Sequence, residues 1–166
     1  MSPVTEMEKE SPLLLRRRVD ADLARIVRWV SDAQSVALFA GPSLHWPLTE
    51  EQLRAVDLVE GRTAWVLADA SAPDRAIGHA DLTQTGARAS IGRVIVEPER
   101  RGRHLGRELM LLMLDQARRQ GVASVSLIVI EGNTAALRTY EGLGFAYDPA
   151  TGYPGRLSMT IELGTP

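Results

Sequence analysis

The segment from residue 89 to residue 130 constrains this chain more than any other. A strand-like run, ASIGRVIV (89–96), gives way to a turn crowded with arginine and glycine, EPERRGRHLG. Leu105, Leu109, Leu112, Met113 and Ala117 then recur at helical spacing until Gly121 closes the helix. SVSLIVI (124–130) follows as an almost continuous apolar run, which predicts a central strand buried on both faces. Two strands joined by a helix lie parallel in one sheet, because only a long crossover returns the chain to the same end. The fold must therefore hold at least one parallel pair.

The preceding strands are of another kind. TAWVLAD (63–69), AIGHADL (76–82) and ASIGRVIV are separated only by the short turns ASAPD and TQTGA, so they form antiparallel hairpins. Gly78 and Gly92 inside these strands predict bulges or the close approach of another backbone. Upstream, LLLRRRV (13–19) reads as a strand, with Asp20 as the N-cap of a helix to about residue 31. DAQSVALFAGPSLHWP reads as irregular, and TEEQ opens a capped helix at Thr49 that runs to about Val59. A helix over 134–142 and closing strands at FAYD and 157–163 complete an α/β (α+β) domain with a mixed, mostly antiparallel sheet. Residues 1–12 are polar and acidic and read as a disordered tail, leaving 13–166 as a single domain.

Composition narrows the function. There is no cysteine, which excludes disulfides, thiolate metal sites and a cysteine nucleophile. No signal-like leader and no run long enough to span a membrane is present, so no membrane partner is expected and a cytoplasmic setting is. The formal net charge of -2 argues against general nucleic-acid binding. Lys9 is the only lysine; compositional bias accounts for the excess of arginine, and no function is read from it.

Against that balance, Arg100, Arg101, Arg103 and Arg107 form a local knot around Gly102 and Gly106. A strand, a tight basic turn and a helix start make a phosphate seat, since the first helical N–H groups lack partners and the helix dipole adds positive charge. The same residues would also serve as a plain charged turn entering a helix. Neither a P-loop nor a dinucleotide-binding fingerprint is present. A second constellation, NTAALRTYEGLGF (133–145), places Asn133 as a helix cap and Tyr140 two turns on along the same face. Alone, it reads equally as a capped amphipathic helix with a packing tyrosine.

Together, in this order, the two constellations resemble the GNAT superfamily of acyl-CoA-dependent N-acetyltransferases. Arg101, Leu105 and Gly106 match the Gln/Arg-x-x-Gly-x-Gly/Ala signature, and Asn133, Ala136, Tyr140, Gly144 and Phe145 match the Asn…Ala…Tyr…Gly-Phe segment. His104 departs from the pattern by standing where the first signature glycine belongs. The resemblance implies the GNAT fold, with about seven strands, about four flanking helices and a V-shaped splay between strands four and five. It also implies acetyl-CoA as cosubstrate, no metal, an amine acceptor and a possible homodimer.

The resemblance further implies roles. Val94, Ile95 and Val96 would offer free backbone to the pantetheine arm, with Asn133 and Ala136 opposite. Residues Arg101, Gly102, Arg103, His104, Leu105, Gly106 and Arg107 would seat the pyrophosphate. The acetyl group would pass to a primary amine of a small molecule or a protein or peptide N-terminus by direct attack, through a tetrahedral intermediate. An alkyl amine has a pKa of about 10.4 and must first lose a proton. A backbone N–H near Val96 would hold the oxyanion, and Tyr140 would act as general acid to the departing thiolate and touch the cosubstrate. Some members carry a base on the fourth strand; the matching position falls near Ser90 or Ile91, leaving Asp81, His79, Glu97 or a water chain. Trp46, His79 and Tyr153 are candidate acceptor-binding residues. A non-catalytic acyl-CoA-binding domain of the same fold is the alternative.

Overall fold

The computed structural model describes residues 11–164. Most of the tail expected at 1–12 lies outside the described residues. Four strands, β1 (Leu13–Arg17), β2 (Arg62–Asp69), β3 (Ala76–Thr85) and β4 (Arg88–Val96), pair antiparallel in chain order. Helix α4 (Leu105–Arg119) then crosses over to β5 (Ser124–Ile130), which runs parallel to β4. The last strand, β7 (Arg156–Glu162), inserts between β5 and the short β6 (Ala146–Tyr147), giving the order β1-β2-β3-β4-β5-β7-β6.

Side chains alternate across the sheet, so neighbouring residues of one strand feed two different cores. Leu67 of β2 faces α4 and α5 (Thr134–Gly142), in a cluster with Ile77, Leu109, Met110 and Met113. Val66 faces the other way, toward α1 (Asp20–Arg28), α2 (Ala33–Ala40) and α3 (Glu50–Val56), where Leu23, Ile26, Phe39 and Leu53 gather. Trp29 and Trp65 are both buried, one in each core.

Three sequence expectations need correction. The stretch read as irregular contains α2, and its signal was Asp32, whose carboxylate caps the helix by accepting from the Ser35 amide at 2.7 Å. Asp20 is the first helical residue rather than the cap; Val19 holds the cap position, and its amide donates to Asp22 at 2.9 Å. β5 is not buried on both faces. Val125, Leu127 and Val129 face the α4 core, whereas Ile128 is 54% exposed. On the α2 side, helices cover β2 and β3, while the face built from β5 and β7 is left open.

Thr49 caps α3 by accepting from the Gln52 amide at 3.2 Å. The Gln52 side chain does not close the capping box; it accepts from the His45 amide and donates to the Pro47 carbonyl, pinning the loop before the helix.

Candidate active site

The site begins where β4 and β5 part. Their parallel ladder covers only Arg88–Ser90 against Ser124–Ser126, after which β4 continues to Val96 without a β5 partner. On its other side β4 stays bonded to β3, and the Glu97 amide still donates to the Ile77 carbonyl at 2.9 Å. Peptide groups alternate in direction along a strand, so the Val96 amide and carbonyl face the gap. In keeping with that, the Val96 carbonyl accepts from Arg101 Nε at 3.4 Å.

A bulge marks the parting. His79 pairs with Ile95 and Asp81 with Gly92, so β4 carries one residue more than β3 between those pairs. Within it Arg93 adopts φ 47°, a left-handed conformation unusual for a side chain of its size. The neighbouring Gly92 has no Cβ, and one built there would lie 3.4 Å from Asp81 Oδ1. Of the two glycines flagged within strands, Gly92 borders the bulge and Gly78 marks a close approach, where a Cβ would meet Leu67 at 3.2 Å.

Arg93 is held at both ends. Its guanidinium forms a buried ion pair with Asp81. Its carbonyl accepts from His79 Nδ1 at 2.8 Å, which assigns the proton to Nδ1 and leaves Nε2 to accept from Arg18 at 3.0 Å. Arg18 in turn pairs with Asp57. His79 has no exposed surface. Burial above all, with the charges of Arg18 and Arg93, pushes its pKa down to about 3, against the opposing pull of its bond to the Arg93 carbonyl. Burial also raises the Asp81 carboxyl, with the neighbouring Arg93 working the other way.

Over the bulge, on the α2 side, lies a cavity of about 700 Å³. Ser90, Asp81 and Arg93 line its floor, Gly41 at the end of α2 lies on one wall, and Tyr153 and Arg156 lie on the other. Tyr153 stands at the mouth, 63% exposed.

The basic turn sits beyond the free end of β4. Arg100 is committed to the protein, bonding Asp69 and Glu97 at 3.2 Å each. Arg101, Arg103 and Arg107 remain exposed around the start of α4. Gly102 has φ 81° and His104 has φ 60°, and a Cβ on Gly102 would meet nothing within 4 Å. Successive amides around left-handed residues form a concave nest for an anion, and the α4 N-terminus adds its unpaired N–H groups. His104 caps α4 by position but makes no side-chain cap bond. The signature glycine is therefore explained by backbone conformation, which His104 adopts at a cost.

Across the gap, Asn133 caps α5 by accepting from the Ala136 amide at 3.3 Å. Tyr140 lies on α5, 9% exposed, with its ring 5.9 Å from that of Phe145. Burial raises its pKa to about 12, so the phenol keeps its proton across the physiological range.

Not every candidate reaches this place. Glu97 is buried outside the cavity, and its carboxylate is taken by Arg25 at 2.9 Å, Arg100 at 3.2 Å and Arg75 at 3.5 Å. His79 is sealed below the cavity with both nitrogens engaged, which leaves it no lone pair for an acceptor amine. Trp46 is 46% exposed but lies away from the cavity lining. Of the three side chains weighed as base, only Asp81 lines the cavity. Arg93 and Arg156 were not anticipated. The signal for Arg93 was a lone arginine after glycine in an otherwise apolar strand; Arg156 had none beyond the last hairpin to which Tyr153 belongs.

Residues 24–145 match the model of the acetyltransferase (GNAT) family. The chain belongs to the GNAT family. It is 51% identical over 63 residues to a mycothiol acetyltransferase of Thermobispora bispora, a match covering 36% of this chain and 21% of that protein. A mycothiol acetyltransferase of Nocardia farcinica is 40% identical over 82 residues, covering 47% of this chain and 27% of the relative. The chain thus spans less than a third of the length of these curated relatives. Among solved structures, a domain from Methanocaldococcus jannaschii superposes with a TM-score of 0.76 at 22% identity, over 92% of this chain and 99% of that one. The spermidine N-acetyltransferase of Vibrio cholerae, solved with CoA and spermine, gives a TM-score of 0.74 at 20% identity, over 91% and 95%. This GNAT chain shares their fold, and its own sheet is seven-stranded and mixed with a parallel β4–β5 pair. Among the described residues no group of His, Cys, Asp or Glu is placed to hold a metal, and no helix is long and apolar enough to cross a membrane.

Two outcomes test this geometry. His104→Gly should stabilise the fold by up to about 1 kcal/mol, since glycine enters the left-handed region freely, and should leave coenzyme affinity equal or better. Chemical denaturation and calorimetric titration check it; a sharp loss of affinity would mean that the imidazole itself contacts phosphate. His79→Asn keeps a donor for the Arg93 carbonyl, since its amide nitrogen can stand where Nδ1 does, gives up the bond from Arg18, and cannot titrate. In the native chain the depressed His79 pKa contributes stability above the ordinary histidine value, about 6.5, which is lost as pH falls toward about 3. Melting curves across that window should fall less steeply with acid in the variant.

Proposed function

We propose that this protein acetylates a primary amine of a small molecule or of a peptide or protein N-terminus, with acetyl-CoA as the donor. The observation that carries this reading is the meeting of two approaches at one bulge. A free strand edge leading to an anion nest arrives from one side, and a cavity of about 700 Å³ opens from the other. Donor and acceptor would enter from opposite faces and react at Arg93.

The nest at Arg101–Gly106 and the exposed guanidinium groups of Arg101, Arg103 and Arg107 suit the coenzyme diphosphate. The outward peptide groups of Val94 and Val96 suit the amide-rich pantetheine arm, as a strand added to an open edge. The donor supplies an activated acyl carbon. The chain's own residues supply proton handling and charge stabilisation.

Asp81 is the proposed base. It lies on the cavity floor, and its burial raises its affinity for a proton while Arg93 keeps the carboxylate form accessible. The gap-facing amide of Val96 is the proposed donor to the oxyanion. Tyr140 is the proposed donor to the leaving sulfur. A phenol with a pKa near 12 is a weaker acid than a thiol of about 8.5, so its contribution is a strong hydrogen bond to developing negative charge, with the proton following from solvent.

Two variants divide these roles. Tyr140→Phe should lower kcat about a hundredfold with little change in acetyl-CoA affinity, measured by thiol release and by titration. Normal turnover at every pH would remove Tyr140 from the chemistry. Asp81→Asn should lower kcat/KM about a hundredfold. Because burial raises the Asp81 pKa, wild-type activity should fall as pH drops through a value above that of an exposed aspartate, and the variant should lack that acid limb. A limb that survives in the variant assigns the base elsewhere.

A further inference from the structure

We propose that the acceptor is an amine that also carries a carboxylate, and that Arg156 receives that carboxylate. The proposal deepens the acetyltransferase reading above and rests on it.

The argument is an account of charge on the cavity wall. Seven charged side chains line it, and four of them are engaged by partners within the protein. Arg93 and Asp81 neutralise each other. Arg62 spends its guanidinium on the Thr83 hydroxyl at 3.0 Å and the Val56 carbonyl at 2.7 Å. Asp148 accepts from the Ala150 amide at 3.0 Å and the Thr151 hydroxyl at 3.2 Å, closing its own turn. Arg88 and Glu162 flank Ser124 in one row across the closed end of the V, two strands apart, exposed and of opposite sign, with no ion pair between them. That leaves Arg156 as the half-buried cation without a partner. Among the described residues its guanidinium makes no hydrogen bond, and no carboxylate lies within ion-pair distance.

Its position is as informative as its freedom. Arg156 begins β7 opposite Ile130 of β5, on the far side of the V from α2. Yet its guanidinium lies 3.5–3.7 Å from the point where a Cβ on Gly41 would stand, at the end of α2. The side chain therefore spans the cavity from one wall to the other and comes within van der Waals reach of Gly41. The root of the side chain is fixed, since Arg156 and Tyr153 exchange backbone hydrogen bonds at 2.9 and 3.3 Å. A half-buried, pre-positioned guanidinium facing a cavity is a carboxylate receptor, because its planar donor pair matches the two carboxylate oxygens.

The same account disfavours other amines. A polyamine needs free carboxylates facing the acceptor; Asp81 and Asp148 are engaged, and Glu162 lies exposed at the closed end of the V. A phosphate dianion would bring twice the charge to Arg156, the half-buried free cation, with Asp148 on the same wall. A monoanionic carboxylate matches one guanidinium.

The test uses matched acceptors that differ only in the anion: glycine and glycinamide, β-alanine and its amide, and γ-aminobutyrate and its amide, with spermidine as the polyamine. Thiol release from acetyl-CoA is read for wild type and Arg156→Gln. A charge-assisted hydrogen bond contributes about 1.5–3 kcal/mol, so the wild type should prefer the acid of at least one pair by about tenfold or more in kcat/KM. In Arg156→Gln that preference should vanish through a raised KM for the acid, with the amide and acetyl-CoA affinity unmoved. Dividing the acid-to-amide ratio of wild type by that of the variant cancels the differing basicity of the amines. Equal use of acids and amides by the wild type, a preference that survives in the variant, or spermidine as the best acceptor would each overturn the proposal. If no amine releases thiol, the acetyltransferase reading is what fails. The carboxylate site is then read from melting shifts of the CoA-loaded protein with the N-acetylated acids and amides. A shift with the acids alone that Arg156→Gln abolishes upholds the site, and any other pattern sinks it.

Discussion

One extra residue in β4 sets the geometry on which the rest of this molecule depends. A parallel pair with no bulge would continue its ladder as far as both strands run, and β4 and β5 would leave no gap. Instead Arg93 takes a left-handed turn, the strand bends, and the ladder to β5 ends at Ser90. Such a conformation persists only where its surroundings over-determine it. Here a neutral histidine grips the Arg93 carbonyl and an aspartate grips its guanidinium. His79 can do this only while it stays uncharged, because imidazolium would carry a proton on Nε2 facing the Arg18 cation. Burial is what keeps it uncharged, so the core packed over His79 is part of the site's construction.

The bulge also separates two kinds of electrostatic environment. On the side of the α4 N-terminus the arginines are exposed and their charges screened by solvent. On the cavity side the Asp81–Arg93 pair is withdrawn from water, where a proton's affinity responds strongly to its neighbours. The basic cluster around Glu97 belongs to neither. Three arginines converge on that buried carboxylate and tie α1, the turn after β2 and the turn after β4 together, which makes Glu97 an anchor for the loop that follows it.

Much of this was legible from residues 89–145. The parallel crossover, the nest and the Asn133 cap all follow from local rules, because each depends on residues close together in the chain. What was not legible depends on partners far apart. SVSLIVI looked buried on both faces because apolar content cannot reveal that one face lies opposite a cavity instead of a helix. Glu97 stood close to the reacting strand in sequence, but its ion pairs come from residues 25 and 75, which no spacing rule connects to it. Arg93 looked like one more polar residue, since a bulge is a property of two strands in register and not of one.

The excess of arginine over lysine, first set aside as compositional, acquires a physical meaning here. Arg16 meets a buried carboxylate with its fork, placing two nitrogens at 2.8 and 2.9 Å from the two oxygens of Asp22, and Arg93 pairs with buried Asp81 through Nε. Arg18 divides its donors between His79 and Asp57, and Arg62 between a hydroxyl and a carbonyl. A lysine offers one point charge on a more strongly hydrated ammonium, so it can satisfy one such partner at a greater desolvation cost and cannot bridge two in a plane. Compositional bias explains why arginines were available. It does not explain why several of them are buried with donors divided among distant elements, and a lysine at 18 could serve only one of His79 and Asp57, leaving the other unpaired.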